Sequence, residues 1–236
     1  GTQNVIELAR ELDVEKVIGI STDKVVDPSG VLGTSKLMGE KLILASYYYR
    51  GNKRTKFSCV RFGNVLGSRG SILPLFKKQI RMNGTVTVTE PDMTRFVMSI
   101  PQAVNLVLRA ASRMRGHEIF VLKMPSVRLG ALVKTAITYY APLFGKKASE
   151  IRIRTIGRRD GEKMHERLLA NHERAFVSET EDMYILTPHQ KVFSDAYTGT
   201  YSAKPLKAGT KDFFSEFAPR LSDSELFRLI EAADSF

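Results

Sequence analysis

The feature that most constrains this chain is a series of short apolar runs, each followed by a polar or glycine-rich loop and then by a stretch of helical periodicity. KVIGIS (16–21) leads through TDKVVDPSG into a helix predicted over about 31–49. Residues 56–62 lead through GNVLGSRG into a helix predicted over about 71–81. A strand-like TVTVT, a helix over about 100–112 and the strand EIFVL (118–122) continue the alternation. Short, mostly apolar strands between helices suit a parallel sheet covered on both faces, with ligands beyond the carboxyl ends of the strands. The opening residues, with Val5, Ile6, Ala9 and Leu12 at helical spacing, predict a helix with no strand before it.

Beyond Met124 the signals become mixed. The pattern predicts a helix over 129–140, a strand at IRIRTI and a closing helix over 222–233, with Ser222 and Glu225 forming a capping box. Residues 188–219 lack firm periodicity and are expected to form an extended arm or a partner-contacting tail. With 236 residues and 43% hydrophobic content, the chain can bury one core, or a core with a smaller lobe. Its single cysteine, Cys59, excludes a disulfide framework and fits a reducing cytoplasm. No run approaches the roughly 18 to 20 apolar residues of a membrane span, and the start does not read as a signal peptide, so a soluble cytoplasmic protein is expected. The formal charge of +11 attracts polyanions without choosing among them. His117, His165, His172 and His189 show no ligand spacing, so no metal is expected.

The chemistry is sought in the loops after the strands. Ser21, Thr22, Asp23 and Lys24 place hydroxyls, a carboxylate and an amine at the functional edge of the sheet. A chain turning there lets Asp23 and Lys24 face one ligand, although a solvated loop with Asp23 as a turn cap accounts for the residues equally well. The turn with Gly63, Gly67 and Gly70 does not fit G-x-G-x-x-G. A strand, a tight turn and a helix amino terminus with Arg69 beside it instead suit a diphosphate.

Four segments in order carry a resemblance: STDKVVDPSGVLGTSKLMGEK (21–41), RFGNVLGSRGSILPLF (61–76), VTEPDMTRFVMSIPQAVNLVL (88–108) and IGRRDGEKMHERL (156–168), with a closing LSDSEL. Together they resemble the UDP-N-acetylglucosamine 4,6-dehydratases, polysaccharide biosynthesis proteins of the extended short-chain dehydrogenase/reductase class, over nearly the whole chain. The resemblance implies an α/β fold: an incomplete Rossmann-like, doubly wound parallel sheet with a smaller mixed α/β sugar-nucleotide-binding lobe. The expected boundaries are 1–70 for the carboxy-terminal part of the cofactor domain, with 94–124 returning to it, and 71–236 for the lobe and arm. The family's reaction is an internal redox cycle with elimination of water, using NAD or NADP and a UDP-sugar. By this match Lys24 is the base at C5, Asp23 the acid at C6 and Thr22 a helper at the C4 oxygen. Ser21, Lys36 and Val65 fall on the cofactor, and Asn64, Arg69, Arg95, Arg159 and Glu162 on the substrate.

Two departures shape the expectation. Leu32 stands where most relatives carry the tyrosine of a Tyr-x-x-x-Lys pair. The chain also opens at a helix that in this fold follows the first strands, so the amino-terminal cofactor-binding part is expected to be missing and this chain alone to be inactive. A homo-oligomer or a separate amino-terminal segment is the expected partner. The alternative is a catalytically incomplete remnant that binds sugar nucleotide or assembles without turnover. Nucleic-acid binding rests on charge alone and is not expected.

Overall fold

The structure, a computed structural model, describes residues 1–46, 48, 49, 51, 54–187, 201 and 203–235. His189 and part of the tail expected over 188–219 lie outside them. The chain divides into two units, one of Gly1–Phe62, Val104–Lys123 and Arg167–Phe213, the other of Gly63–Ala103, Met124–Glu166 and Phe214–Phe236.

The first unit holds α1 (Thr2–Glu11), β1 (Lys16–Thr22), α2 (Val31–Ala45) and β2 (Lys56–Phe62). The end of α4 (Ile100–Arg113), β6 (Ile119–Leu122), β9 (Val177–Glu179), β10 (Met183–Leu186) and β11 (Lys204–Pro205) complete it. Its sheet runs β1-β2-β6-β10-β9-β11. The first three strands are parallel, and β10, β9 and β11 add on antiparallel. Alternation along β2 sends Phe57 toward Ile6 and Ala9 of α1, and Val60 toward Leu106 and Ala110 of α4. Helices thus cover both faces, as the Rossmann-like reading requires. The helix expected over 31–49 ends at Ala45.

The second unit holds β3 (Asn64–Val65), α3 (Ile72–Asn83), β4 (Thr85–Val88), β5 (Thr94–Met98) and the start of α4. It continues with β7 (Ser126–Arg128), α5 (Leu129–Leu143), β8 (Arg152–Thr155) and α6 (Asp223–Asp234). Strands β3, β5 and β7 form one small sheet and β4 with β8 another. Helix α3 buries Leu73, Phe76 and Ile80, spaced three and four apart, against α5 and α6 residues such as Leu132, Ala136 and Ile230. Each such side chain contributes about 1.5 to 3 kcal/mol on full burial. Ser222 caps α6 with Glu225 as the reciprocal partner.

The expected boundaries need correction. Residues 63–70 and 94–103 belong to the second unit, because β3 pairs with β5. Residues 167–213 belong to the first, because β10 pairs antiparallel with β6, Met183 opposite Leu122. Among the described residues, no helix is long and apolar enough to cross a membrane.

Candidate active site

In the first unit, β1 ends at Thr22 and turns at once into a single 3-10 turn, Asp23–Val25. Thr22 caps that turn, its hydroxyl accepting from the Lys24 backbone N–H at 3.5 Å. The turn brings three of the sequence-predicted groups together. Asp23 is fully buried, and its Oδ1 accepts from the Thr22 hydroxyl at 2.9 Å and from Lys24 Nζ at 3.0 Å. Its Oδ2 is buried with no partner among the described residues. Helix α2 starts against the same turn because its third residue is glycine: a Cβ on Gly33 would lie 2.3 Å from the Lys24 carbonyl oxygen. Lys36 and Leu32, one turn apart on α2, are both exposed.

Ser21 does something the sequence did not suggest. Its side chain is buried and its hydroxyl donates to Glu40 Oε2 at 2.5 Å. Glu40 in turn accepts from Arg61 Nη2 at 2.7 Å and Nε at 3.3 Å. Arg61 also donates to both Glu173 oxygens, at 2.9 and 3.0 Å, and to the Leu168 carbonyl at 2.8 Å. Burial works against the guanidinium charge, but the two carboxylates outweigh it and push the Arg61 pKa above its ordinary value. Burial likewise opposes the Glu173 charge. The hydrogen bonds and charge of Arg61 and the Ala170 N–H win, holding the Glu173 carboxyl below its usual range. This interior network fixes the end of β1, α2 and the 168–173 segment to one another. Two signals could have found it: an arginine inside the apolar strand FSCVRF, and a glutamate one turn after Lys36.

Ser21 and Lys36 line a common cavity of about 290 Å³ that also includes Gly19, Ile20, Gly39 and Glu40. Lys36 fits a ribose ligand, with an exposed ammonium on a rigid helix. The Ser21 hydroxyl fits less well, since its proton already goes to Glu40.

In the second unit, Asn64 and Val65 form β3, both half-buried, beside Val97 and Met98 of β5. Arg69 is exposed in the turn between Gly67 and Gly70, which have φ of 80° and 79°. The strand, turn and helix expected here as a diphosphate cradle therefore contain an intervening short strand, and α3 begins at Ile72 after Ser71.

Arg95 and Glu162 do meet, at 3.3 Å. Arg95 is buried and also donates to the carbonyls of Thr94 and Met164. The Glu162 carboxylate accepts from the Arg159 backbone N–H at 3.3 Å, so the GRRDGE turn closes on itself while the Arg159 side chain stays exposed. A second cluster pins this turn to β5: the Thr94 hydroxyl lies 2.8 Å from His165 Nδ1 and 2.6 Å from the Ser215 hydroxyl. Among the described residues, no three His, Cys, Asp or Glu side chains gather as a metal site.

Residues 1–188 match the family described as polysaccharide biosynthesis protein. Among relatives aligned with nearly all of this chain is the UDP-N-acetylglucosamine 4,6-dehydratase (inverting) of Campylobacter jejuni. It is 36% identical over 244 residues, covering 100% of this chain and 69% of that protein. A protein of Rickettsia rickettsii named UDP-glucose 4-epimerase is 36% identical over 234 residues, 99% of this chain and 66% of that protein. The X-ray structure of Pen from Bacillus thuringiensis aligns with all of this chain and 67% of its own, with a TM-score of 0.88 and 37% identity. The chain spans a smaller share, 57% to 28%, of other relatives.

Proposed function

We infer the function from one premise: the chain belongs to the polysaccharide biosynthesis protein family, extended short-chain dehydrogenases/reductases that include UDP-N-acetylglucosamine 4,6-dehydratases. The reading is a nucleotide-sugar 4,6-dehydratase of surface-glycan biosynthesis, acting on a UDP-N-acetylglucosamine-like substrate. The observation that carries it is the buried, unpartnered Asp23 Oδ2, next to an Oδ1 already bonded by Thr22 and Lys24. A carboxyl with one oxygen held and the other without a hydrogen-bond partner suits the acid of an elimination.

In this reading Lys24 is the base of the turn and Asp23 its acid. Lys24 takes the proton from C5, and Asp23 gives its own through Oδ2 to the C6 hydroxyl, so the C6–O bond breaks and water leaves. Thr22 hydrogen-bonds the C4 oxygen. Lys24, held 3.0 Å from Asp23 Oδ1, then returns the captured proton to C5, while the C4 hydroxyl proton leaves to solvent and Asp23 regains its own from solvent, so that both groups are reset. Positioned acids and bases of this kind contribute about 10² to 10⁴ in rate. When bound, a nicotinamide cofactor, NAD or NADP, supplies the hydride acceptor and donor that such an internal redox cycle needs. In the first unit Lys36 would hold its ribose, and Ser21 there and Val65 in the second unit are the other residues assigned to the cofactor.

Within the second unit, Arg69, Asn64 and Arg159 are assigned to the sugar nucleotide, with Glu162 on the ribose hydroxyls. Arg95, already bonded to Glu162 and two carbonyls, serves to hold Glu162 in place. Exposed arginines are the better phosphate ligands here.

A second reading, a protein that binds sugar nucleotide without turnover, is favoured by Leu32: a hydrocarbon there cannot take the proton of the C4 hydroxyl. One experiment separates them. The protein, joined to the amino-terminal cofactor-binding segment of a relative, is incubated with UDP-N-acetylglucosamine and NAD, and the 4-keto product is followed by its absorbance in alkali and by mass. Product that disappears in Asp23→Asn and Lys24→Ala, with UDP binding kept within a few-fold, supports the dehydratase. UDP binding without product favours the second reading. A 4-epimer formed without loss of water sinks both. Calorimetry with UDP tests the grip independently: Arg159→Ala should weaken binding by about 1.5 to 3 kcal/mol, the range for a charged hydrogen bond.

A further inference from the structure

Outside the residues assigned above, the second unit carries a surface of mixed cationic and apolar character. It is built on the outer face of α3 and the end of α5. Leu75, Lys78 and Met82 recur three and four residues apart along α3, which puts them on one side of the helix, with Arg81 beside them. Leu75 and Met82 are 44% and 67% exposed, and Leu143 at the end of α5 is 58% exposed. A shallow groove of about 550 Å³ joins Pro74, Lys77, Lys78, Arg81, Met82 and Phe144.

The loop after α5 is held against the same end of α3. Lys146 Nζ donates to the carbonyls of Ile80 and Arg81 at 2.7 and 2.9 Å, neutralising the negative end of the helix. Lys147 follows, exposed, and Arg152 is tied to Gly84 through its backbone N–H. Lys77 is paired with Asp234 at 2.6 Å. Lys78, Arg81 and Lys147 make no ion pair among the described residues. Glu150 is the acid of this loop, and its carboxylate accepts from the Lys147 backbone N–H at 3.1 Å.

We propose that this face of α3 and the end of α5 docks on an anionic lipid surface. Cations interleaved with aliphatic side chains match a boundary where phosphates sit above acyl chains, and each Lys or Arg near such a surface adds to the attraction. A second copy of the chain would bring like charges together on the same patch. A nucleic acid would leave Leu75, Met82 and Leu143 without a partner, and Phe144, a single aromatic in the groove, does not make the series of rings that a base-stacking platform needs.

The test is sedimentation of the whole chain with vesicles of phosphatidylcholine alone and of phosphatidylcholine with about one third phosphatidylglycerol. The expected result is binding to the anionic vesicles only, reduced by high salt, and falling at least about tenfold in the doubly substituted Lys78→Glu/Arg81→Glu protein. Met82→Ser should weaken it several-fold while leaving the salt dependence intact. A protein with the same charge change elsewhere, Arg220→Glu/Arg228→Glu, should bind nearly as wild type. These side chains are exposed, so circular dichroism should show unchanged folding. The proposal is overturned by equal binding to both vesicle types or by equal loss in the two double variants. It is also overturned if the α3 substitutions abolish an oligomer or an oligonucleotide complex while vesicle binding persists.

Discussion

Replacing Arg61 by methionine is the sharpest perturbation of the first unit. The side chain is 1% exposed, and it faces Glu40 and Glu173, whose side chains are 0% and 8% exposed. Methionine fills much of the volume but leaves two carboxylates in the interior without a cation. Breaking a buried pair in this way costs about 3 to 5 kcal/mol, against a total stability of about 5 to 15 kcal/mol for a domain. Glu173→Gln should be milder, about 1.5 to 3 kcal/mol, because Arg61 keeps Glu40 at 2.7 Å and the Leu168 carbonyl at 2.8 Å. The pH dependence gives a second readout with a definite sign. In the wild type the Glu173 pKa is depressed below 4.5, so its contribution is present above that value and is lost as pH falls through the folded pKa. Without Arg61, burial raises the carboxyl pKa instead, so the folded state is favoured at low pH and weakened as pH rises through it. The gap between wild type and Arg61→Met should therefore narrow on going from pH 7 to pH 4. Urea unfolding followed by circular dichroism measures both. A gap below about 1 kcal/mol at pH 7, or one that widens in acid, would refute the account.

Gly67→Ala should lower stability by about 1 to 3 kcal/mol, seen as a shifted unfolding midpoint, because φ is 80° and the new Cβ would lie 2.6 Å from the Ala233 carbonyl oxygen. His117 is half-buried, and desolvation depresses its pKa below 6.5, so it favours the folded state above that pH and loses the contribution as pH falls through the folded value. Asn, which tolerates the φ of 80° at this position, should make the thermal midpoint fall less between pH 7.5 and 5.5 than it does in the wild type.

How much of this could be read from the chain depends on how local each cause is. Strands β1, β2 and β6 were legible because each is a short apolar run flanked by polar loops. The Asp23 turn was legible because it follows β1 immediately. Strand β5 was hidden inside a segment read only as a motif, since TRFVM carries an arginine at its second position and sits between helix-like stretches. The structure supplies what the residues alone could not: Arg95 is neutralised by Glu162, 67 positions later, and by carbonyls of its neighbours. Strands β9 and β10 were missed for the same reason: β10 is held by β6 across some sixty residues of chain, and β9 is held in turn by β10. The division into two units follows from those long-range pairings, and no composition shift marks where the chain crosses between them.

The candidate site shows the same limit more finely. Proximity in sequence put Thr22, Asp23 and Lys24 in one place and could suggest that they share a ligand, but it could not say which oxygen of Asp23 is left without a hydrogen-bond partner. That depends on Thr22 and Lys24 both choosing Oδ1. Nor could it show that Ser21, one residue earlier, faces the other way into the Glu40 and Arg61 network. Alternation along β1 requires that split: neighbouring side chains leave opposite faces, so one hydroxyl anchors the strand end while the next serves the turn. The residues that hold the turn in place are thus drawn from α2, β2 and the 168–173 segment, none of which adjoins it in sequence.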